Sequence, residues 1–524
     1  MATLINTADI TDPSLLPSQD IKDWVYNGLD CCVTLEVLEN IENLLDDVSR
    51  VTYNLSLSLQ APILEMSMRG IRIDLFQREQ VKKEYIRQLE LIEAQLSKIL
   101  FEGLSISLNW RSPAQLKKLF YEVLQLPEVK KRNAHGKMAA TTNRDALEKL
   151  YDYHYATALC NRLLVLRDIE KKRQFLSAKL DEDNHIRANF NIAGTNTGRL
   201  ASSVSDYGTG TNLQNVDRLL RTVFIPDKGM KFANIDLEQA DARNVGAICW
   251  NLFVETHGEA YAGAYLDACE SGDLHTTVCS MAYNELPWTT DPKKNREIAD
   301  AKAYRELSYR DLSKKLGHGT NYYGQPPTMA KHTRVRVDTI TTFQHKYFGG
   351  FPAIGCPLTE PDAAMRPNWH NWVKRQLRES QCIITQYGRR RWFFDDPKNQ
   401  ETIRAAIAFE PQSMTADEIN QAILNIWRAN VVQILCQVHD SLLVQYPEEM
   451  EDEIIPKLKQ LFRAPLTLRR GREFLVPCEV KVGWNWGDMI VQKDGTVINP
   501  YGLMKYKGTD TRKPPRDLFD GKGI

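Results

Sequence analysis

The sequence predicts a mainly helical α+β fold, and three observations carry that reading. Two apolar, strand-like runs each end at an aspartate, Phe232-Ala-Asn-Ile-Asp236 and Cys436-Gln-Val-His-Asp440. The long stretch between them has mostly helical character, broken by aromatic loops. Residues 75–180 are also long, charged and rich in helix formers.

From the N-terminus, Gln19 to Leu45 carries helical spacing, with Trp24, Val25, Leu29, Val33, Leu35 and Val37 as its apolar positions. A second helix runs through Ala61-Pro-Ile-Leu-Glu-Met-Ser-Met-Arg69, Gly70 ends it, and Ile71–Ile73 starts a strand. Residues 75–180 read as two long helices, interrupted at Asn109-Trp-Arg-Ser-Pro113 and tipped by the basic loop Lys130–Lys137. The same charge run also fits a plain solvated surface. Residues 181–245 turn β-like and rich in Gly, Thr and Asn, and 246–400 are mostly helical. Residues 401–490 hold a helix and then two alternating strands, Val431–Val438 and Ser441–Tyr446, that meet at His439-Asp440 as a hairpin. The tail, 491–524, has Gly, Pro and Lys without periodicity and is expected to be loosely held.

Composition narrows the class. The 524 residues are 43% hydrophobic and 26% charged, an ordinary soluble globular balance. With 67 basic and 67 acidic residues the formal charge is zero, so any nucleic-acid footprint must come from local patches. No apolar run approaches a membrane span, so no membrane partner is expected. The opening Met1-Ala-Thr-Leu-Ile-Asn-Thr-Ala-Asp reads as neither signal nor transit peptide. Ten cysteines include no CxxC pair, and Cys31 and Cys32 are adjacent, which suits neither zinc nor a disulfide framework. A reducing cytoplasm is the expected compartment.

Three features carry chemistry. A strand ending at Asp236 presents a carboxylate at its tip, a natural place for Mg²⁺, although Asp also caps helices. An acid at Asp440, at the tip of so apolar a strand pair, is costly unless paired or liganded; an ordinary turn aspartate is the alternative. Arg310, Lys314, His318 and Tyr322 recur every four residues and form a drifting stripe on one helix face. Twelve residues of helix span about 18 Å, enough to reach from a triphosphate to a base. Gly317 and Gly319 each cost roughly 1 kcal/mol against Ala, so a close approach by ligand or backbone is expected there. Pro326-Pro327 are expected to end the helix. A solvated basic face is the bland alternative for the stripe.

These segments together resemble a family A DNA polymerase, the class of bacterial DNA polymerase I and many phage replicases. Asp236-Leu-Glu-Gln-Ala-Asp-Ala-Arg243 resembles its first palm motif, Arg310 to Tyr322 its fingers helix, and Val438-His-Asp-Ser441 its second palm motif. Thr197-Gly-Arg-Leu-Ala-Ser-Ser203 with Asn212-Leu-Gln-Asn215 is similar to the primer-terminus segment, and Asp273-Leu-His275 to the triphosphate-touching one. Arg404-Ala-Ala-Ile407 with Gln412 resembles the helix that reads the minor groove; Tyr387-Gly-Arg-Arg390 and Ala61–Asp74 also fit.

The resemblance implies a right hand. A remnant of an exonuclease end (1–48) and a segment leading into the palm (49–74) precede the thumb (75–180). The first palm segment (181–245), the fingers (246–400), the second palm segment (401–490) and the tail (491–524) follow. It implies primer-dependent, template-directed DNA synthesis from dNTPs, with Asp236, Asp440 and the Leu237 carbonyl holding two Mg²⁺ or Mn²⁺ ions and Lys314 catalytic. Arg310, Lys314 and His275 would neutralise the triphosphate, with His318, Tyr322, Gln239 and Asp241 also at the nucleotide. Arg199, Asn212, Gln214, Asn215, Arg404, Gln412, His439 and Tyr323 would touch primer-template, as would Lys130, Lys131 and Arg132.

Four departures from the family pattern matter. Asp241 stands where Glu is usual, one methylene shorter, with deoxynucleotide preference still expected. His318 replaces Phe or Tyr, which leaves the handling of sugars lacking a 3′-hydroxyl open. Tyr323 delays the expected glycine to Gly324, so Tyr322 and Tyr323 could exchange roles; the spacing of four favours Tyr322. Ser441 follows His-Asp where Glu is common, as also occurs in single-subunit RNA polymerases, the nearest rival. The Thr197–Asn215 segment and Asp241 argue for DNA. A catalytically inactive, polymerase-like DNA-binding protein is the other alternative, and retention of both aspartates and the whole cationic stripe argues against it.

Tyr26-Asn-Gly-Leu-Asp30 with Val33-Thr-Leu35 resembles the last motif of a 3′–5′ exonuclease. One Asp cannot hold two ions, so no proofreading is expected from this polypeptide; a separate exonuclease subunit is the expected partner. A monomeric phage replicase in a bacterial host's cytoplasm is the overall expectation. Lys505, Lys507, Arg512, Lys513 and Arg516 offer the tail contact with phosphate.

Overall fold

The structure, a computed structural model, describes residues 18–513 apart from 133–135, 206, 305–306, 358, 493 and 509. The chain opens with α1 (Gln19–Glu42), α2 (Asp47–Arg69), β1 (Ile71–Ile73), α3 (Leu75–Leu104) and α4 (Pro113–Lys117). Next come β2 (Lys130–Arg132), β3 (Met138–Ala140), α5 (Arg144–Leu150) and α6 (Thr157–Leu176). Short strands β4 (His185–Ile186), β5 (Asn189–Asn191), β6 (Ala201–Ser203) and β7 (Phe224–Ile225) lead to β8 (Met230–Leu237). Helices α7 (Ala240–His257), α8 (Glu259–Glu270), α9 (Leu274–Ala282) and α10 (Pro292–Ala299) follow, then β9 (Lys302–Tyr304) and β10 (Leu307–Ser308). Beyond them lie α11 (Tyr309–Asn321), α12 (Pro326–Thr333), α13 (Val337–Gly350), α14 (Trp369–Glu379), β11 (Cys382–Ile384), β12 (Arg390–Trp392) and α15 (Gln400–Ala429). The chain closes with β13 (Gln433–Val438), β14 (Ser441–Pro447), α16 (Glu451–Leu461), β15 (Leu466–Thr467), β16 (Glu473–Phe474), β17 (Cys478–Gly483), β18 (Ile490–Val491), β19 (Val497–Ile498) and β20 (Met504–Lys505). The mainly helical α+β expectation holds. No helix among the described residues is long and apolar enough to cross a membrane.

The elements gather into two compact units, Met1–Ser58 with Asn244–Met414 and Leu59–Arg243 with Thr415–Ile524. The second unit is built on an antiparallel sheet in the order β13-β14-β8-β17-β20. Its middle strands bury Phe232, Ala233, Ile235, Leu442, Val444, Val480 and Val482, so apolar side chains fix the register. Helices α3 and α6 form an arm around a separate core of Leu89, Leu96, Phe120, Leu163 and Leu166. The basic loop expected at its tip is a β2–β3 hairpin with Lys130 opposite Ala140. Gly70 ends α2 at φ +67°, and a Cβ there would lie 2.7 Å from the Ile186 carbonyl oxygen, so only glycine fits.

The tail corrects one expectation. Its described residues, which run to Lys513, are not loosely held. Strand β20 pairs with β17 through Lys481 and Lys505. Lys231, at the start of β8, is buried against Glu451 (2.5 Å) and Asp510 (2.9 Å), with its ammonium 4.2 Å from the Trp484 ring centre. Arg512 pairs with Asp510 at 2.7 Å and donates to the Val482, Pro500 and Gly502 carbonyls. Two cations thus meet two carboxylates, and Arg512 serves the fold rather than phosphate, as does Lys505, 2.6 Å from Glu479. Arg516 lies outside the described residues.

In the first unit, α11 begins with a capping box in which Ser308 accepts from the Asp311 amide and Asp311 reaches back. Its far end is clamped. Asn321 donates to the Tyr265 hydroxyl and accepts from Tyr347, both at 2.8 Å, and its carbonyl accepts from His370 Nε2 at 2.8 Å. Burial holds His370 down to about 4, so the ring is neutral and Nε2 carries the donated proton. The helix stops at Asn321, ahead of the prolines expected to end it. The Tyr323 amide bonds to the Thr320 carbonyl and the Gly324 amide to that of Gly319 (2.7 Å), with Tyr323 left-handed at φ +61°. That is a Schellman stop with tyrosine where glycine is usual. Pro326 and Pro327 instead open α12, where a missing N–H costs nothing.

Candidate active site

The second unit brings the two expected acids together through its backbone. Ser441 on β14 lies directly across from Asp236 on β8, and the Leu237 amide donates to the Asp440 carbonyl at 3.0 Å. Asp440 sits in the tight β13–β14 turn, where His439 is left-handed at φ +54° and exposed. Gln437 donates to the His439 carbonyl, and Gln214 donates to Gln437 at 2.8 Å and to the Leu200 carbonyl at 3.0 Å. The Ser441 hydroxyl donates to the Val438 carbonyl at 2.9 Å. The turn is therefore braced from both sides.

Burial, and then the Asp440 charge, push the Asp236 carboxyl up to about 6. Two carboxylates sharing a partly dry corner repel, and a divalent cation relieves that repulsion. Asp241, at the start of α7, accepts from the Thr415 hydroxyl at 2.9 Å. Arg199 Nη2 lies 3.5 Å from both Asp241 and Asp440. Arg199 Nε and Gln239 Oε1 are buried without a hydrogen-bond partner, and Gln239 is left-handed at φ +58°.

The first unit displays the cationic stripe. Lys314 and His318 are exposed and Arg310 and Tyr322 half-buried, while Leu312, Leu316 and Thr320 face the core. The His318 and Tyr322 rings meet edge-on, 4.7 Å between centres. Arg310 forks onto Asp273 through Nε (3.0 Å) and Nη2 (2.8 Å), and Asp273 also caps α9. His275 lies close to Arg310 and Lys314. Burial, with Arg310 and Lys314 beside it, holds its imidazole down to about 4, so it stands as a neutral hydrogen-bonding group. The interior glycines meet protein rather than ligand: a Cβ on Gly319 would lie 2.8 Å from Met329 Cε, and one on Gly317 would touch Tyr347.

Other expected contacts divide between surface and scaffold. Lys130, Lys131, Arg132 and Asn215 are exposed; Arg404 and Gln412 are half-buried on α15. Asn212 caps the turn Leu213–Asn215 and donates to the Ser202 carbonyl, and Gln214 braces the β13–β14 turn, so both already have partners within the fold. Tyr323 is 7% exposed, its ring packed against His370 and under Lys374. The sequence reading missed Gln437 and Thr415, as well as Glu479, which faces Asp236 from β17. Gln437 had a signal, a polar side chain at an inward position of an apolar strand.

The sequence matches the family described as DNA polymerase family A over residues 77–488. It is 25% identical over 446 residues to DNA polymerase I of Caldicellulosiruptor bescii, covering 81% of this chain and 46% of that protein. It is 23% identical over 447 residues to the thermostable DNA polymerase I of Thermus aquaticus, with the same coverages. The chain thus spans about half the length of the relatives it matches. Its fold is similar to that of the POL domain of Pol1 from M. smegmatis, solved in complex with DNA primer-template and dNTP. The TM-score is 0.62 at 23% identity, covering 82% of this chain and 69% of that one.

Proposed function

This chain belongs to DNA polymerase family A, and we propose that it extends a DNA primer along a template by nucleotidyl transfer from dNTPs. The observation that carries the reading is the backbone-fixed meeting of Asp236 and Asp440. Their carboxylates, with the Leu237 carbonyl, fit Mg²⁺ or Mn²⁺: a hard cation takes oxygen donors and would offset the burial and the Asp440 charge that raise Asp236. When bound, such ions activate the primer hydroxyl and neutralise charge on the leaving pyrophosphate.

The protein's own groups would do the rest. Arg310 and Lys314 would bind the triphosphate, His275 would donate a hydrogen bond to it, and Tyr322 would stand at the templating position. Asp241, held by Thr415 and Arg199, would exclude a 2′-hydroxyl. Arg404 and Gln412 would donate to minor-groove acceptors common to all base pairs, which suits copying without sequence preference. In this reading residues 75–180 are thumb, 181–245 and 401–490 palm, and 246–400 fingers. Asp30 stands exposed on α1, and the reading includes no proofreading by this polypeptide. It assigns the chain to phage replication.

The test is primer extension. Asp236→Ala and Asp440→Ala should each abolish synthesis while primer-template binding persists. Unchanged extension by either variant would sink the reading. Equal use of ribonucleotides by the parent chain would favour an RNA polymerase.

A further inference from the structure

Asp273 holds two arginines. Besides the Arg310 fork, Arg296 Nη1 on α10 lies 2.9 Å from Asp273 Oδ2, and Arg296 Nε lies 2.6 Å from Asp300. Arg296 belongs to none of the sets assigned above. Its side chain is 48% exposed, so it opens to solvent beside the half-buried Asp273. Lys314, one turn beyond Arg310, and His275 complete the cluster, and Arg296, Arg310 and Lys314 all act on the His275 imidazole.

Arg296 and Arg310 share the carboxylates of Asp273 and Asp300, with Asp311 also acting on Arg310 and Lys314 one turn beyond it on α11. The Asp273 carboxylate also keeps local donors of its own: the Thr276 hydroxyl (2.8 Å) and the His275 and Thr276 amides. It would stay satisfied as the cap of α9 if both guanidinium groups left it. A polyanion with several closely spaced oxygens, offered to such a cluster, competes well with a single carboxylate for planar donors.

We propose that Arg296 is a further triphosphate-binding residue, held in reserve on Asp273 and transferred with Arg310 to the distal phosphates of the incoming nucleotide. This rests on the reading of α11 as the triphosphate helix. Asp273 occupies the guanidinium groups until the nucleotide arrives, standing in for a phosphate.

The test uses the full chain on primer-template, with Ca²⁺ in place of Mg²⁺ to stop chemistry, and titrates dNTP and the matching dNMP. Arg296→Ala should weaken dNTP binding about tenfold and leave dNMP binding within twofold, and Arg296→Lys should recover most of the loss. Asp273→Asn, which keeps a capping oxygen but removes the competing charge, should tighten dNTP binding. The proposal is overturned if Arg296→Ala binds dNTP within twofold of the parent while Arg310→Ala loses more than tenfold. Equal loss of dNTP and dNMP would also overturn it, since that marks a purely structural α10. If neither Arg310→Ala nor Arg296→Ala changes dNTP affinity, the reading of α11 itself fails.

Discussion

Asp236 faces Ser441 across the β8–β14 ladder, and the amide of Leu237 donates to the carbonyl of Asp440 at 3.0 Å. The two acids are therefore fixed by main-chain bonds rather than by flexible side chains.

The first prediction separates two tyrosines. Tyr322 is half-buried at the helix end, whereas Tyr323 is packed beside His370. Tyr322→Ala should leave the melting temperature near that of the parent and lower incorporation. Tyr323→Ala should destabilise the chain by about 3 kcal/mol, the usual cost of a lost core aromatic. The opposite pattern in calorimetry and extension would exchange their roles.

Sugar choice should depend on the Asp241 anchor. Thr415→Val removes the 2.9 Å hydrogen bond that orients the carboxylate. It should lower the preference for deoxynucleotides, though less than Asp241→Ala does, in single-nucleotide insertion with matched ribo- and deoxynucleotides. Identical ratios in parent and Asp241→Ala would remove the gate from the account.

A third prediction concerns pH. Burial raises the Glu410 carboxyl to about 8. A folded-state value above the unfolded one contributes stability that is present in full below the unfolded value, near 4.5, and lost as pH rises through about 8. Glu410→Gln cannot ionise, so its stability should gain on the parent by roughly 1.4 kcal/mol per pH unit across that window and level off above it. Thermal melts of both chains from about pH 5 to about pH 9 would show the divergence; parallel curves would mean the group is not dry.

The C-terminal anchor should matter to the sheet. Arg512→Ala or Lys231→Ala strands a buried carboxylate, and each should cost about 3–5 kcal/mol. Chemical denaturation with sheet-sensitive detection measures it. A loss under about 1 kcal/mol, the range of an exposed pair, would make the anchor ornamental.

What the sequence reveals follows its periodicity. The apolar runs leading to Asp236 and Asp440 marked the strands, but these are buried along most of their length rather than on alternate faces, so the β8–β14 register emerged only in three dimensions. The α11 stripe was legible from its recurrence every four residues. Its terminus was not: prolines signal helix starts as well as stops, and a left-handed tyrosine contradicts local preference and holds only because His370 and Lys374 pack around it. The tail looked structureless because its order comes from partners far back in the chain, Lys231, Glu451 and the Val482 carbonyl. Polar braces such as Gln437 and Thr415 carry no spacing rule and emerge only in three dimensions.

Mn²⁺ binding to the full chain on primer-template, followed by titration calorimetry, tests the central claim most directly. If Asp236 and Asp440 grip shared ions, Asp236→Asn and Asp440→Asn should each weaken binding at least about tenfold, and the double variant should lose little more than either alone. Parent-like affinity in one variant, or losses that simply add, would put the two acids at separate sites and contradict the account.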